Sequence, residues 1–149
     1  MSSNAGKASK SAQSWPNFSG SKILLVDDST AVRDLMRHYL APLGATILEA
    51  ADGTQAIDHV TNHSNIAIIL LDVHMPGMDG LSFATEYQKL VLAGDIEKTP
   101  IIMVTTETTR EMAAKAQQLG ISGWIVKPPR QEILLDVVTR MAKREHRAA

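Results

Sequence analysis

The sequence predicts an α/β fold, a doubly wound parallel sheet of five strands with five helices on its faces. Three observations lead there. Strand and helix signals alternate five times from Lys22 onward, and such alternation implies crossover connections that cover both faces of a parallel sheet. The run Ile66-Ala67-Ile68-Ile69-Leu70-Leu71 is apolar without a break and is bounded by a Pro- and Gly-containing loop, as in a strand buried on both faces. Four strand-like runs also end on chemically active residues: 23–26 on Asp27-Asp28, 66–71 on Asp72, 101–104 on Thr105 and 124–126 on Lys127. Ligands of open α/β sheets bind beyond the carboxyl ends of the strands.

Taken in order, residues 1–20 are rich in Ser, Ala, Asn, Gly and Lys, with Trp15 and Phe18 as the sizeable apolar groups. Such a stretch buries too little surface to offset its ordering entropy, so it is expected to be a flexible tail. After the first strand, Val32, Leu35, Met36, Tyr39 and Leu40 recur at helical spacing as one core-facing stripe. Ser29 is placed to cap that helix, and Pro42 and Gly44 to end it. Residues 46–48 form a short strand, expected at a sheet edge. Asp52-Gly53-Thr54-Gln55 reads as a capping box for the second helix. A third helix runs from about Leu81 to Leu92, with Gly94 after it. Thr108-Thr109-Arg110-Glu111 reads as the capping box of an Ala-rich helix that stops at Gly120. Ile133, Leu134, Val137, Val138 and Met141 give the stripe of the last helix.

At 149 residues the chain fits one domain. It has no Cys, which excludes disulfides and thiolate metal sites. No apolar stretch approaches bilayer length and no export signal opens the chain, so the expected compartment is the cytoplasm. Bases gather at the ends (Lys7, Lys10 and Lys22; Arg140, Lys143, Arg144 and Arg147), while every acid but Glu145 lies between them. These basic clusters are short and lack interleaved aromatics, so they read as solvated termini rather than a nucleic-acid surface.

Asp27, Asp28 and Asp72 would make an anionic site of oxygen ligands only, suited to Mg²⁺ or Mn²⁺ rather than zinc. Two unit charges about 4 Å apart repel by roughly 4 kcal/mol at an effective dielectric near 20. Metal-free crowding is therefore expected, and Asp27→Ala or Asp28→Asn is expected to relieve it. Each residue also has a plain structural reading. Asp-Asp-Ser is a common helix start, and Asp72 is either a nucleophile that forms an acyl phosphate or an acceptor for N–H groups of the turn at 74–80. Thr105 either donates to a phosphoryl oxygen or satisfies its strand end. Lys127 either pairs with the acids or is an ordinary surface Lys.

Together, Asp27-Asp28-Ser29, Asp72 with Met75-Pro76-Gly77-Met78-Asp79-Gly80, Thr105 and Lys127-Pro128 resemble the receiver domain of two-component response regulators. The resemblance covers about residues 22–143. It implies strand order 2-1-3-4-5, a receiver unit over 21–145 and a short C-terminal tail at 146–149. It implies that Asp72 accepts a phosphoryl group from a histidine kinase. Asp28, Asp72 and the His74 backbone carbonyl would ligate Mg²⁺, with Asp27 acting mainly through water. Thr105 and Lys127 would bind phosphoryl oxygens, and Lys127-Pro128 would be cis. Trp124 falls at the aromatic switch position that works with Thr105.

Since the sequence stops after the fifth helix, the expectation is a single-domain, CheY-like regulator without substrate turnover. Its output would be phosphorylation-dependent binding, through helix four, strand five and helix five, to a target such as the flagellar motor switch. The alternatives are a phosphorelay intermediate working with a phosphotransfer protein, a phosphate sink, and a receiver that serves only as a scaffold. A phosphatase is a further implied partner. An aspartyl-nucleophile phosphohydrolase of the haloacid-dehalogenase type would carry a second Asp two residues after the first, where this chain has His74. Departures from the family pattern are Thr106 in place of a small residue, Pro129 in place of Phe, and the side chains of His74 and Glu107 near the acceptor.

Overall fold

The computed structural model describes residues 15–75, 77–106 and 109–143. Five parallel strands, β1 (Lys22–Val26), β2 (Thr46–Ala50), β3 (Ile66–Leu71), β4 (Ile101–Thr105) and β5 (Gly123–Val126), form one sheet in the order β2-β1-β3-β4-β5. The five α-helices are α1 (Thr30–Leu40), α2 (Gly53–Asn62), α3 (Gly80–Leu92), α4 (Arg110–Gln118) and α5 (Gln131–Met141). The fold class and strand order are those the sequence predicts, and β2 is indeed an edge.

Alternation along the strands divides the core in two. Leu24, Val26, Ile69, Leu71, Ile101 and Met103 point to the face covered by α2, α3 and α4. Ile23, Leu25, Ile68, Leu70, Ile102 and Val104 point to the face covered by α1 and α5. In β3 the alternation slips once. Lys22 pairs with Ile66 but Ile23 pairs with Ile68, so Ala67 is an extra residue, and both it and Ile68 lie on the α1–α5 side. This irregularity sits at the strand's N-terminal end and leaves the register at its C-terminal end intact.

Helix ends follow local chemistry. Ser29, Asp52, Asp79 and Thr109 each accept the backbone N–H three residues on, so one orphan donor per helix is satisfied. The return contact of Gln55 goes to the N–H of Ala51, one residue before the cap, at 2.8 Å. The fourth helix is capped by Thr109 rather than by Thr108, which lies outside the described residues together with Pro76 and Glu107.

Three packing expectations need correction. On α1, Met36 and Leu40 are buried while Leu35 is at the exposed margin of the stripe. On α5, the buried residues are Leu134, Leu135 and Val138, whereas Ile133 and Met141 face outward. The buried face there is thus turned from the stripe read in the sequence. The third correction concerns the tail through residue 20. Phe18 is 2% exposed, its N–H donates to the Leu43 carbonyl at 2.7 Å, and Trp15 packs on the same cluster. Two large aromatic side chains supply the apolar contact that docks this short polar segment. Residues 1–14 and 144–149, including the tail expected at 146–149, lie outside the described residues.

Candidate functional site

The backbone ladder continues one residue past three strand ends and fixes the side chains beyond them. Asp27 N–H donates to Ala50 O at 3.0 Å, Asp72 N–H to Val26 O at 2.8 Å, and Lys127 N–H to Thr105 O at 2.9 Å. Since β1, β3, β4 and β5 are consecutive neighbours, Asp27, Asp72, Thr105 and Lys127 stand side by side along one sheet edge. Interior position accounts for their burial: Asp27 is 1%, Asp72 5% and Thr105 0% exposed.

Lys127 closes the cluster. Its Nζ lies 2.6 Å from Asp27 Oδ2 and 3.4 Å from Asp72 Oδ2. Asp27 Oδ1 accepts the Ser29 N–H at 2.9 Å. Oδ2 is buried and makes no hydrogen bond of acceptable geometry, so its close approach to Lys127 is an ion contact without directional pairing. Burial first, and then the neighbouring Asp27 carboxylate, push the Asp72 carboxyl above its ordinary pKa, against the opposing pull of Lys127 and the His74 N–H. Asp28 is exposed, yet one oxygen from each of Asp27, Asp28 and Asp72 falls within 4.8 Å of the others.

This donor set fits a hard divalent cation. It offers oxygen alone, it carries more negative charge than one Lys offsets, and it includes a buried carboxylate oxygen lacking a hydrogen bond.

The loop after Asp72 is held from two sides. Gly80 opens α3 against the backbone of Asp72, where an added Cβ would lie 2.2 Å from Asp72 O and 2.8 Å from Val73 Cα. Its N–H donates to Val73 O at 3.0 Å. Gly53, at the start of α2, donates to Met78 O at 3.0 Å, and a Cβ there would meet the Met78 side chain at 2.6 Å. Neither role is readable from the sequence, since Gly53 meets a segment distant along the chain and Gly80 depends on how its own loop folds back on Asp72 and Val73. The Met-Pro-Gly-Met-Asp-Gly motif is its only local trace.

The other expected positions are dispersed around this core. His74 and Thr106 are exposed and Pro129 is buried. The Lys127–Pro128 peptide is cis. Trp124 lies on β5, opposite Met103 in register and 41% exposed. Arg33, which donates to the backbone carbonyl of Asp27, is the cation that sequence reasoning missed. Its place on the polar side of α1 gave no signal.

The family model of the response regulator receiver domain matches residues 23–139. The chain belongs to that family. The receiver domain is 33% identical over 125 residues to the chemotaxis protein CheY of Pseudomonas aeruginosa, covering 83% of this chain and 97% of that protein. It is 36% identical over 124 residues to the sensor histidine kinase CheAY of Helicobacter pylori, although it spans only 15% of that relative's length. Among solved structures, chemotaxis protein CheY4 of Vibrio cholerae, crystallised at low pH, matches with a TM-score of 0.72 at 35% identity. That match covers 81% of this chain and 98% of that one. The receiver domain is thus of the CheY-like kind used in two-component signalling. No helix among the described residues is long and apolar enough to cross a membrane.

Proposed function

We propose that this receiver domain is a phosphorylation switch in which Asp72 takes a phosphoryl group from the phosphohistidine of a sensor kinase. One observation carries the reading: the Asp72 carboxylate, fixed at the tip of β3, lies within ion-pair distance of Lys127 and beside two further carboxylates. In the transfer, an Asp72 carboxylate oxygen forms a bond to phosphorus as the bond from phosphorus to the donor imidazole nitrogen breaks. The imidazole keeps the electron pair and takes up a proton, and Asp72 becomes an acyl phosphate.

Asp28, Asp72 and the His74 backbone carbonyl would hold Mg²⁺, with Asp27 behind them through water. The ion would neutralise charge on the phosphoryl oxygens and on the acids around them. Lys127 supplies a fixed positive charge for one phosphoryl oxygen and the Thr105 hydroxyl a donor for another. Transfer of this kind depends on positioning and charge neutralisation rather than on a separate base. The site therefore modifies itself and needs no second substrate pocket.

Output follows from the added charge, roughly one to two units. Thr105 shifts toward the phosphoryl group, Trp124 turns into the space it leaves, and the population moves to a second arrangement of the face formed by α4, β5 and α5. Trp124 and Val126, 41% and 60% exposed, give that face its apolar part. A downstream protein of a chemotaxis pathway, such as a flagellar motor switch component, is the partner that similarity to CheY proteins supports, and the cytoplasm is the compartment. A phosphotransfer protein and a phosphatase would meet the same site.

The test is mass spectrometry after incubation with a small acyl-phosphate donor and Mg²⁺. The expected result is a gain of one phosphoryl group in the wild type, absent in Asp72→Asn and in the wild type with chelator. An undiminished gain in Asp72→Asn would refute the assignment.

A further inference from the structure

Arg33 occupies the first turn of α1, its N–H donating to Ser29 O at 3.0 Å. Its side chain is only 14% exposed, unusual for a residue on the polar side of a surface helix. The guanidinium is engaged in three directions. Nη1 donates to the backbone carbonyl of Asp27, Nε to Glu49 Oε1 at 2.8 Å, and Nη2 to Thr30 Oγ1 at 3.4 Å. Glu49, on the edge strand β2, is itself anchored. Its other oxygen pairs with Arg37 at 2.6 Å, and its backbone carbonyl meets His59 Nε2 at 2.8 Å.

The carbonyl gripped by Arg33 belongs to the peptide that joins Asp27 to Asp28. A peptide unit is planar and rigid, so holding its oxygen fixes the orientation of the whole plane. That orientation sets ψ of Asp27 and φ of Asp28, and with them the directions in which the two carboxylates leave the chain. By charge alone, a guanidinium here would oppose a divalent cation. Paired with Glu49 its charge is largely offset, and what remains is its geometry.

We infer that the Arg33–Glu49 pair is a positioning device that sets the divalent-cation affinity of the Asp27, Asp28 and Asp72 cluster. The inference rests on the reading that this cluster takes Mg²⁺. Arg33 acts through the Asp27–Asp28 peptide, so it is a positioning residue rather than a catalytic one. Outer contacts that orient metal-binding groups typically change affinity by about ten-fold or more when removed.

The experiment is calorimetric titration of the full chain with Mg²⁺, and with Mn²⁺ as a second probe, for the wild type, Arg33→Gln and Glu49→Gln. The two variants change the local charge in opposite directions. If positioning governs, both weaken binding, by about ten-fold. If charge alone governs, Arg33→Gln binds more tightly and Glu49→Gln more weakly, and that outcome overturns the inference. Unchanged affinity in both overturns it as well. Far-UV circular dichroism without metal establishes folding. Should Arg33→Gln not fold, Arg33→Lys keeps the charge without the three-way grip, and wild-type affinity in that variant is equally fatal. Phosphoryl gain is read separately: a wild type that binds Mg²⁺ yet gains no phosphoryl group refutes the phosphoacceptor reading and leaves this inference standing. A wild type that binds no Mg²⁺ refutes both.

Discussion

Asp27 shows how one contact reverses an expectation drawn from charge counting. Three carboxylates read as mutual repulsion, and on that basis Asp27→Ala should relieve a metal-free protein. The structure places Lys127 Nζ 2.6 Å from Asp27 and only 14% exposed. It also gives the Ser29 N–H an acceptor on the same carboxylate. Truncation would leave a largely buried ammonium with Asp72 alone and a cap donor unpaired, at a cost on the order of 1–3 kcal/mol. Asp27→Ala is therefore expected to lower the melting temperature in chelator, and a differential scanning calorimetry trace equal to or above wild type would refute this. Asp72 behaves differently, because burial raises its pKa. A carboxyl whose folded pKa lies above its unfolded value binds its proton more tightly when folded. Its contribution to stability therefore falls as pH rises from the ordinary carboxylate range through the raised folded value. Asn at this position cannot ionise. In chelator, Asp72→Asn should melt above the wild type at neutral pH, and the gap should shrink on acidification. Paired melts across that range check it, and a gap independent of pH would contradict the burial argument.

Among the elements, those read most easily from sequence are those whose signals are local. The uninterrupted apolar run of β3 and the caps at Ser29 and Asp52 needed no partner to be recognised, and Asp72, the Thr105 hydroxyl and the Lys127 amine were legible because each closes such a run. The exposed faces of α1 and α5 were less legible. Leu35, Ile133 and Met141 have apolar side chains at helical spacing, but which of two adjacent stripes is buried depends on the angle at which the helix lies on the sheet. Arg33 and Gly53 depend on contacts between segments, to Glu49 and to Met78, and Gly80 on the closure of its own loop, so none of the three was legible. One element carries an avoidable weakness. The N-cap of helix α5 is Arg130, whose side chain makes no cap hydrogen bond and whose pairing with Glu132 is long, at 3.7 Å, between exposed groups. Such a surface pair contributes about 0–1 kcal/mol, whereas a Ser cap satisfies one orphan N–H and contributes about 1 kcal/mol. Arg130→Ser is expected to raise the urea midpoint slightly with the denaturant slope unchanged, and a lower midpoint would show that the first turn of α5 cannot accept the cap.

Over the whole molecule, the sheet sets the residues of the proposed phosphotransfer apart from the packing at its other end. Asp27, Asp72, Thr105 and Lys127 occupy the carboxyl edge, while Phe18 packs at the opposite edge, where its N–H meets Leu43 O just before β2. The five residues of β1 set these ends about 16 Å apart at the usual rise per residue. Sequence composition concealed the role of Phe18, since two scattered aromatics in a Ser- and Lys-rich segment give no periodic signal, and its burial depends on the apolar cluster it shares with Met36, Leu40, Leu43 and Leu134. Truncating a buried Phe typically costs about 3–5 kcal/mol. Phe18→Ala should therefore lower the melting temperature by many degrees. Well below the melting point it should still acquire a phosphoryl group on Asp72 at the wild-type rate, because the strand-tip contacts of Asp27, Asp72 and Lys127 among the described residues lie at the other end of β1 from Phe18. Thermal melts and the time course of mass gain, measured on the same preparation, test the two halves separately. Unchanged stability would mean that the aromatic contributes little to the core. A slowed transfer in a protein that remains folded would mean that strain at the amino edge reaches the carboxyl edge through β1, and the separation argued here would fail.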